Sequence, residues 1–220
     1  MSGLGMLGVI SGRWLQSGVD QVMAVVGNRA PGVSDLIPGG GGFRYYSVTG
    51  SVPRRTPASY RLRVSGLVQE PMTLSYDELA RLPQTQITYD FQCVTGWRVQ
   101  DVAWSGVRVR DLLERAGVRA GARALRFTSY DGAYAESLTL EQARRDDVLV
   151  ALTMLGAPVT DSHGGPVRLY VAPMYGYKSL KWLDAIEVTD RVTPGYWEQR
   201  GYDVDAWVGR SNQRSDEPTS

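Results

Sequence analysis

Apolar and polar residues alternate over positions 60–66 (YRLRVSG), the pattern of a strand with one buried face. Positions 85–94 and 124–130 predict two more strands, the second running into a turn at Asp131 and Gly132. Runs at 148–152, 167–172 and 183–188 predict a further three. Helix signals are few and short. Ser75 and Glu78 form a capping box whose helix is stopped by Pro83, and Thr139 with Gln142 forms a second box. Val109–Ala116 reads as a helix with Gly117 as its C-terminal stop. Short helices scattered among many strands, without regular βαβ alternation, predict a single α+β domain built on a mixed sheet.

Two stretches stand outside that domain. Residues 4–26 are mildly apolar but carry Arg13, Gln16, Asp20 and Gln21, too polar for a spanning helix of about 20 apolar residues. They predict a short amphipathic helix ending near Gly27, followed by a linker with Pro31, Pro38 and four consecutive glycines at 39–42. The expected organisation is an N-terminal segment and linker at 1–42, the domain at 43–210, and a polar tail at 211–220 without fixed structure. No charged n-region or twin arginine follows Met1. A cytosolic chain and the soluble part of a longer precursor are both compatible with this.

Charge and composition narrow the chemistry. The formal net charge of +1 gives no overall field for nucleic acid or an anionic membrane. One cysteine and one histidine exclude a disulfide framework, multi-cysteine zinc or iron–sulfur sites and a three-histidine metal site. Any chemistry on such a chain is done with few of the usual catalytic side chains, or with a cofactor. Of the 24 basic residues, 22 are arginine, and the two lysines, Lys178 and Lys181, fall together in the segment 175–182 (YGYKSLKW). A compact ammonium group is favoured there over a guanidinium fork.

Cys93 lies in FQCVTGWR (91–98). A buried small hydrophobe, a nucleophilic thiolate and a metal ligand are all open for it on the residues alone. A cysteine hydrolase would need His163 as its base, and no hydrolase signature surrounds either residue. Residues 163–183 (HGGPVRLYVAPMYGYKSLKWL) combine glycines that allow close backbone approach with His163, Arg168 and Lys181, a set suited to a phosphate-bearing ligand. For His163 a satisfied structural role stands beside a ligand contact.

Together, FQCVTGW, the WSGV at 104–107 and HGGPVR…KSLKWL resemble the molybdopterin-binding domain of the sulfite oxidase family, including bacterial methionine sulfoxide reductase catalytic subunits, from about Phe43 to Gly209. The resemblance implies a sulfite-oxidase-type fold and an enzyme carrying molybdenum–molybdopterin, with one molybdenum per chain. It places Cys93 as the metal's thiolate ligand, a soft donor for a redox-active metal. It places His163, Arg168, Ser179, Leu180 and Lys181 around the pterin and its phosphate, Thr128 at a cofactor contact, and Arg44 and Tyr45 in a first cofactor loop. Lys178 is left as a solvent-exposed neighbour.

Arg98, Arg44 and Tyr196 resemble residues of the substrate pocket. Sulfite oxidases carry a further arginine where this chain has Trp97, which moves the expected substrate toward a sulfoxide or another sulfur compound. Sulfite oxidation or dehydrogenation is the alternative, and a non-catalytic binding module of the same fold is the alternative of another class. The chain departs from the eukaryotic sulfite oxidases in having no stretch for their dimerisation domain and no second histidine for a haem, so the expectation is a monomeric unit without haem that exchanges electrons with a separate redox carrier such as a membrane cytochrome. The resemblance also implies an extracytoplasmic or membrane-associated setting, with a cytoplasmic one as the alternative.

Overall fold

The computed structural model describes residues 42–44 and 46–214. The expected N-terminal helix and nearly all of the linker, Tyr45 and the end of the polar tail lie outside the described residues. The elements run β1 (Arg61–Gly66), β2 (Met72–Ser75), α1 (Tyr76–Arg81), β3 (Thr85–Gln92), β4 (Arg98–Arg108), α2 (Val109–Ala116), β5 (Ala124–Ser129), β6 (Ala135–Thr139), α3 (Leu140–Ala143), β7 (Val148–Met154), β8 (Ala157–Pro158), β9 (Arg168–Val171) and β10 (Leu183–Thr189). Short 3₁₀ turns occupy Asp161–His163, Gly176–Lys178 and Glu198–Arg200. No helix among the described residues is long and apolar enough to cross a membrane.

The strands form two sheets, one mixed, as expected for an α+β domain, and one wholly antiparallel. One has the order β2-β1-β10-β5-β6, with β1 and β10 parallel. The other has the order β3-β4-β7-β8, with β9 also pairing on β7. The main core joins both sheets. Leu62, Leu125, Phe127 and Ile186 of the first sheet meet Val109, Leu112 and Leu113 of α2 and Val148, Val150 and Leu152 of β7. The opposite face of the second sheet carries a smaller cluster with Phe43, Trp97, Trp104, Leu149 and Tyr170. β7 is a continuous apolar run because both of its faces are covered.

The same alternation places Leu169 and Val171 of β9 in the main core. It turns Arg168 and Tyr170 toward the aromatic cluster. Both capping boxes form as expected, and Gly117 closes α2 in the left-handed region at φ 65°. The chain also stays packed beyond Arg210. Ser211 and Asn212 are buried. Asn212 exchanges hydrogen bonds with Asp203 and donates to the Tyr177 hydroxyl at 3.0 Å. The beginning of the polar tail is thus part of the domain, because its asparagine has backbone groups to satisfy.

Candidate active site

Cys93 follows β3 at the head of a tight turn. Its N–H donates to the Trp97 carbonyl at 2.9 Å, and the Gly96 N–H donates back to the Cys93 carbonyl at 3.0 Å. The turn requires φ 107° at Gly96, a region that favours glycine. The Cys93 side chain is half-buried, and the Thr95 hydroxyl donates to its Sγ at 3.2 Å. Trp97 stacks on Phe91 and Tyr46 and donates from its indole nitrogen to the Tyr46 hydroxyl at 3.2 Å.

The connections around β9 bring in the basic groups. Arg168 is 3% exposed and spends all three nitrogens on carbonyls. Nη1 donates to His163 and Nη2 to Ser179, each at 2.7 Å, and Nε donates to Leu169. No ion pair involves Arg168 among the described residues. Burial lowers its pKa to about 10, so it is charged at neutral pH. The Lys181 amine donates to the Tyr46 and Ser162 carbonyls. Burial, and then the charge of Arg168, hold its pKa well below the ordinary value, with Asp131 pulling the other way.

Gly164 makes this approach possible, since a Cβ there would lie 2.8 Å from the Lys181 Cα. His163 lies edge-on to Phe43, and its Nδ1 is 3.0 Å from the Thr160 hydroxyl. Burial and the two neighbouring cations push its pKa down to about 4. At neutral pH it is therefore a neutral hydrogen-bonding group rather than a third cation.

Aromatic residues complete the enclosure. Tyr134 precedes β6, Tyr177 sits in a 3₁₀ turn, and Tyr196, Trp197 and Tyr202 come from the C-terminal arm. Tyr196 stacks on Tyr134, and the Arg200 guanidinium covers its ring at 3.6 Å. The five aromatic residues, with Cys93, line one cavity of ≈ 400 Å³. Asp131 also lines it, and its Oδ2 is buried with no hydrogen-bond partner. Its Oδ1 is occupied by the N–H groups of Ala133 and Tyr134.

Residues 49–197 match the family described as the oxidoreductase molybdopterin binding domain. The chain belongs to this family. It is 37% identical to an uncharacterized oxidoreductase, YuiH, of Bacillus subtilis, over 76% of this chain and 83% of the relative. It is 32% identical to the sulfite oxidase of Arabidopsis thaliana, over 66% of this chain and 45% of that protein. A putative protein-methionine-sulfoxide reductase subunit, YedZ1, of Azospira oryzae shares 34% identity over 70% of this chain and 57% of its own length. The crystal structure of the sulfane dehydrogenase SoxCD from Paracoccus pantotrophus superposes with a TM-score of 0.60 at 25% identity, over 66% of this chain and 41% of that one. Apart from YuiH, the chain spans about half or less of these relatives' lengths.

The cavity suits the family's molybdopterin. No group of three or more His, Cys, Asp or Glu side chains could hold a metal among the described residues. That suits a metal held at Cys93 whose remaining ligands come with a cofactor. Buried Arg168 and part-buried Lys181, both donating to backbone carbonyls, place two basic groups side by side in a position that suits an anion. The orphaned Asp131 Oδ2 is an acceptor for N–H donors such as those of a pterin ring.

Of the residues expected from the sequence, the cavity brings together Arg44, Cys93, His163, Arg168, Ser179, Leu180, Lys181 and Tyr196. Tyr45 lies outside the described residues. Thr128 and Arg98 are not among the lining residues. Thr128 is taken up in the β5 ladder, opposite Ala135 and Ala185. Arg98 donates to Gln92 and lies 3.7 Å from Asp90, so its charge is directed along the β3–β4 edge. Lys178, expected at the surface, is 1% exposed and salt-bridged to Glu136 and Glu198. Asp131, Tyr134 and Tyr202 were not foreseen. The turn at Asp131 was legible, but a turn aspartate gives no sign of which oxygen is left over.

Proposed function

We propose that this chain is a mononuclear molybdenum oxidoreductase that removes an oxygen atom from a neutral sulfoxide, with one molybdenum per chain. The observation that carries the reading is the composition of the cavity. A lone thiol and the basic groups of Arg44, Arg168 and Lys181 share it with an aromatic wall, while Arg98 is not among the lining residues and donates to Gln92. When bound, molybdenum–molybdopterin supplies the two-electron change that accompanies oxygen movement at sulfur.

Cys93 presents the thiolate to the metal, and the Thr95 hydroxyl draws charge from that sulfur through its hydrogen bond. Arg168 and Lys181 would hold the phosphate, and Arg168 also fixes the carbonyls of His163 and Ser179. Neutral His163 offers a ring nitrogen, and Asp131 Oδ2 accepts from the pterin ring. The Tyr196 hydroxyl would donate a hydrogen bond to the substrate oxygen, while Trp197 and Tyr134 exclude water.

A sulfite dianion is the second reading, favoured by Arg44 in the lining. Trp97 opposes it, since its indole is 4% exposed among aromatic rings where a second guanidinium would lie uncompensated. Relatives named as reductase subunits support a separate electron-donating partner.

Protein from a host that makes the cofactor should contain about one molybdenum per chain, and Cys93→Ser should lose it along with turnover. Methionine sulfoxide reduction by a reduced viologen should exceed sulfite oxidation. Metal-free protein would overturn the reading, and dominant sulfite turnover would select the second one.

A further inference from the structure

Behind the aromatic wall lies a charge cluster that the proposed chemistry does not use. Lys178 Nζ donates to Glu136 Oε2 at 2.8 Å and to Glu198 Oε1. All three residues are below 10% exposed. With both carboxylates ionised, the enclosure would hold a net negative charge. It would also contain an empty acceptor, because Glu198 Oε2 is buried with no hydrogen-bond partner. The other titratable groups facing the cluster are Tyr134 and Tyr177, with Asp203 beyond Tyr177. Neither phenol fills the gap. The Tyr134 hydroxyl donates to the Tyr177 carbonyl at 2.8 Å, and the Tyr177 hydroxyl donates to the Asp203 carbonyl at 2.7 Å. One proton on the carboxyl pair removes the surplus charge, and, lying between the Glu136 and Glu198 carboxyls, which are within hydrogen-bonding reach of each other, it joins the two acids. Burial and the neighbouring Glu198 raise the Glu136 pKa far above the carboxylate range, with Lys178 opposing.

The cluster is also a joint between three walls of the cavity. Glu136 belongs to β6 beside Tyr134, Lys178 to the loop that carries Ser179 and Lys181, and Glu198 to the arm that carries Tyr196 and Trp197. The arm lies flat on the start of β6. The Tyr196 N–H donates to the Ala135 carbonyl at 3.0 Å. A Cβ on Gly195 would come within 2.6 Å of that carbonyl and 2.8 Å of the Glu136 Cδ.

We propose that Glu136, Lys178 and Glu198 are positioning residues that share one proton and hold the Tyr196–Trp197 wall against the cofactor loop. The proposal rests on the sulfoxide reading for its kinetic arm only. Loss of the shared proton places an unbalanced charge under the arm, and the substrate wall loosens. KM should then rise about tenfold per pH unit above the deprotonation, because the competent form falls by that factor while kcat is kept. Glu198→Gln keeps the shape without the charge and should flatten this rise.

Two readouts need neither turnover nor a known substrate. Infrared spectra of the holoenzyme at neutral pH should contain a carboxylic-acid carbonyl band, moved by ¹³C-glutamate and absent from the Glu136→Gln/Glu198→Gln double variant. Amide exchange over residues 194–202, compared at equal pH, should accelerate in wild type relative to Glu198→Gln as the solution becomes alkaline. Absence of the band, or equal exchange in the two proteins at every pH, overturns the proposal even if sulfoxide turnover is found. Absence of turnover with both signals present refutes the sulfoxide reading and leaves the cluster's role standing.

Discussion

Lys178 and Lys181 are separated by two residues of one motif, yet they carry opposite electrostatics. Lys178 meets two carboxylates and its pKa is raised despite burial, while that of Lys181 is depressed by burial beside Arg168. Their rarity in an arginine-rich chain was legible in the sequence, but the partners were not. Glu136 and Glu198 reach Lys178 from 42 and 20 residues away. For Lys181, the folded state of the cofactor-free protein loses stability as pH falls from the free-amine range through its lowered pKa. A bound anion reverses that. Inorganic phosphate is expected to stabilise cofactor-free wild type by about 2.7 kcal/mol at about a hundred times its Kd, and to leave Lys181→Met nearly unmoved. Differential scanning fluorimetry over a phosphate series checks this. His163 gives a second expectation. Its pKa falls from 6.5 to about 4 on folding, so the unfolded state binds the extra proton between those values. Stability should decline as pH drops through that window. His163→Gln should flatten the decline in urea midpoints measured at successive pH values.

Among the elements, α1, α2 and α3 were legible because each is announced by local chemistry, a capping box or a glycine stop. β4 was not. Its 11 residues include Gln100, Asp101 and a Ser105–Gly106 pair that reads as a turn. In the fold, Asp101 adopts φ 51° and its N–H is bonded by the Asp90 carboxylate beside a register shift. Gly106 is needed because a Cβ would stand 2.1 Å from the Val150 carbonyl oxygen. These are demands of the partner strand, which no local pattern encodes. Gly106→Ala should force β4 away from β7 and cost about 1–3 kcal/mol, with weakened molybdenum loading through the displaced Cys93 turn. Ser75→Ala should cost about 1 kcal/mol through the lost α1 cap and leave loading intact. Urea denaturation alongside elemental analysis separates the two.

At the scale of the whole molecule, the cavity is assembled from five stretches of chain: the residues around Phe43, the Cys93 turn, the turn from Asp131 to Tyr134, the segment from Ser162 to Trp182, and the C-terminal arm. Two of these were visible as motifs, because binding a phosphate and a metal imposes particular residue types close together in the chain. The arm was legible only at Tyr196. Its other contributions depend on a return path that ends on Asn212, in what composition marks as a tail. Asn212 donates to the Tyr177 hydroxyl and so braces the substrate wall from outside, without touching the Cys93 turn or the basic groups of Arg168 and Lys181. The two halves of the site should therefore fail separately. Asn212→Ala removes the acceptor of the Asp203 N–H and the donor to the Tyr177 hydroxyl, at a cost of about 1 kcal/mol. It should speed amide exchange across residues 202–212 and raise KM for the sulfoxide while molybdenum content stays at the wild-type level. Cys93→Ser should do the reverse, losing the metal with exchange in the arm unchanged. Parallel loss of molybdenum in Asn212→Ala would mean that the arm and the cofactor loops form a single cooperative unit.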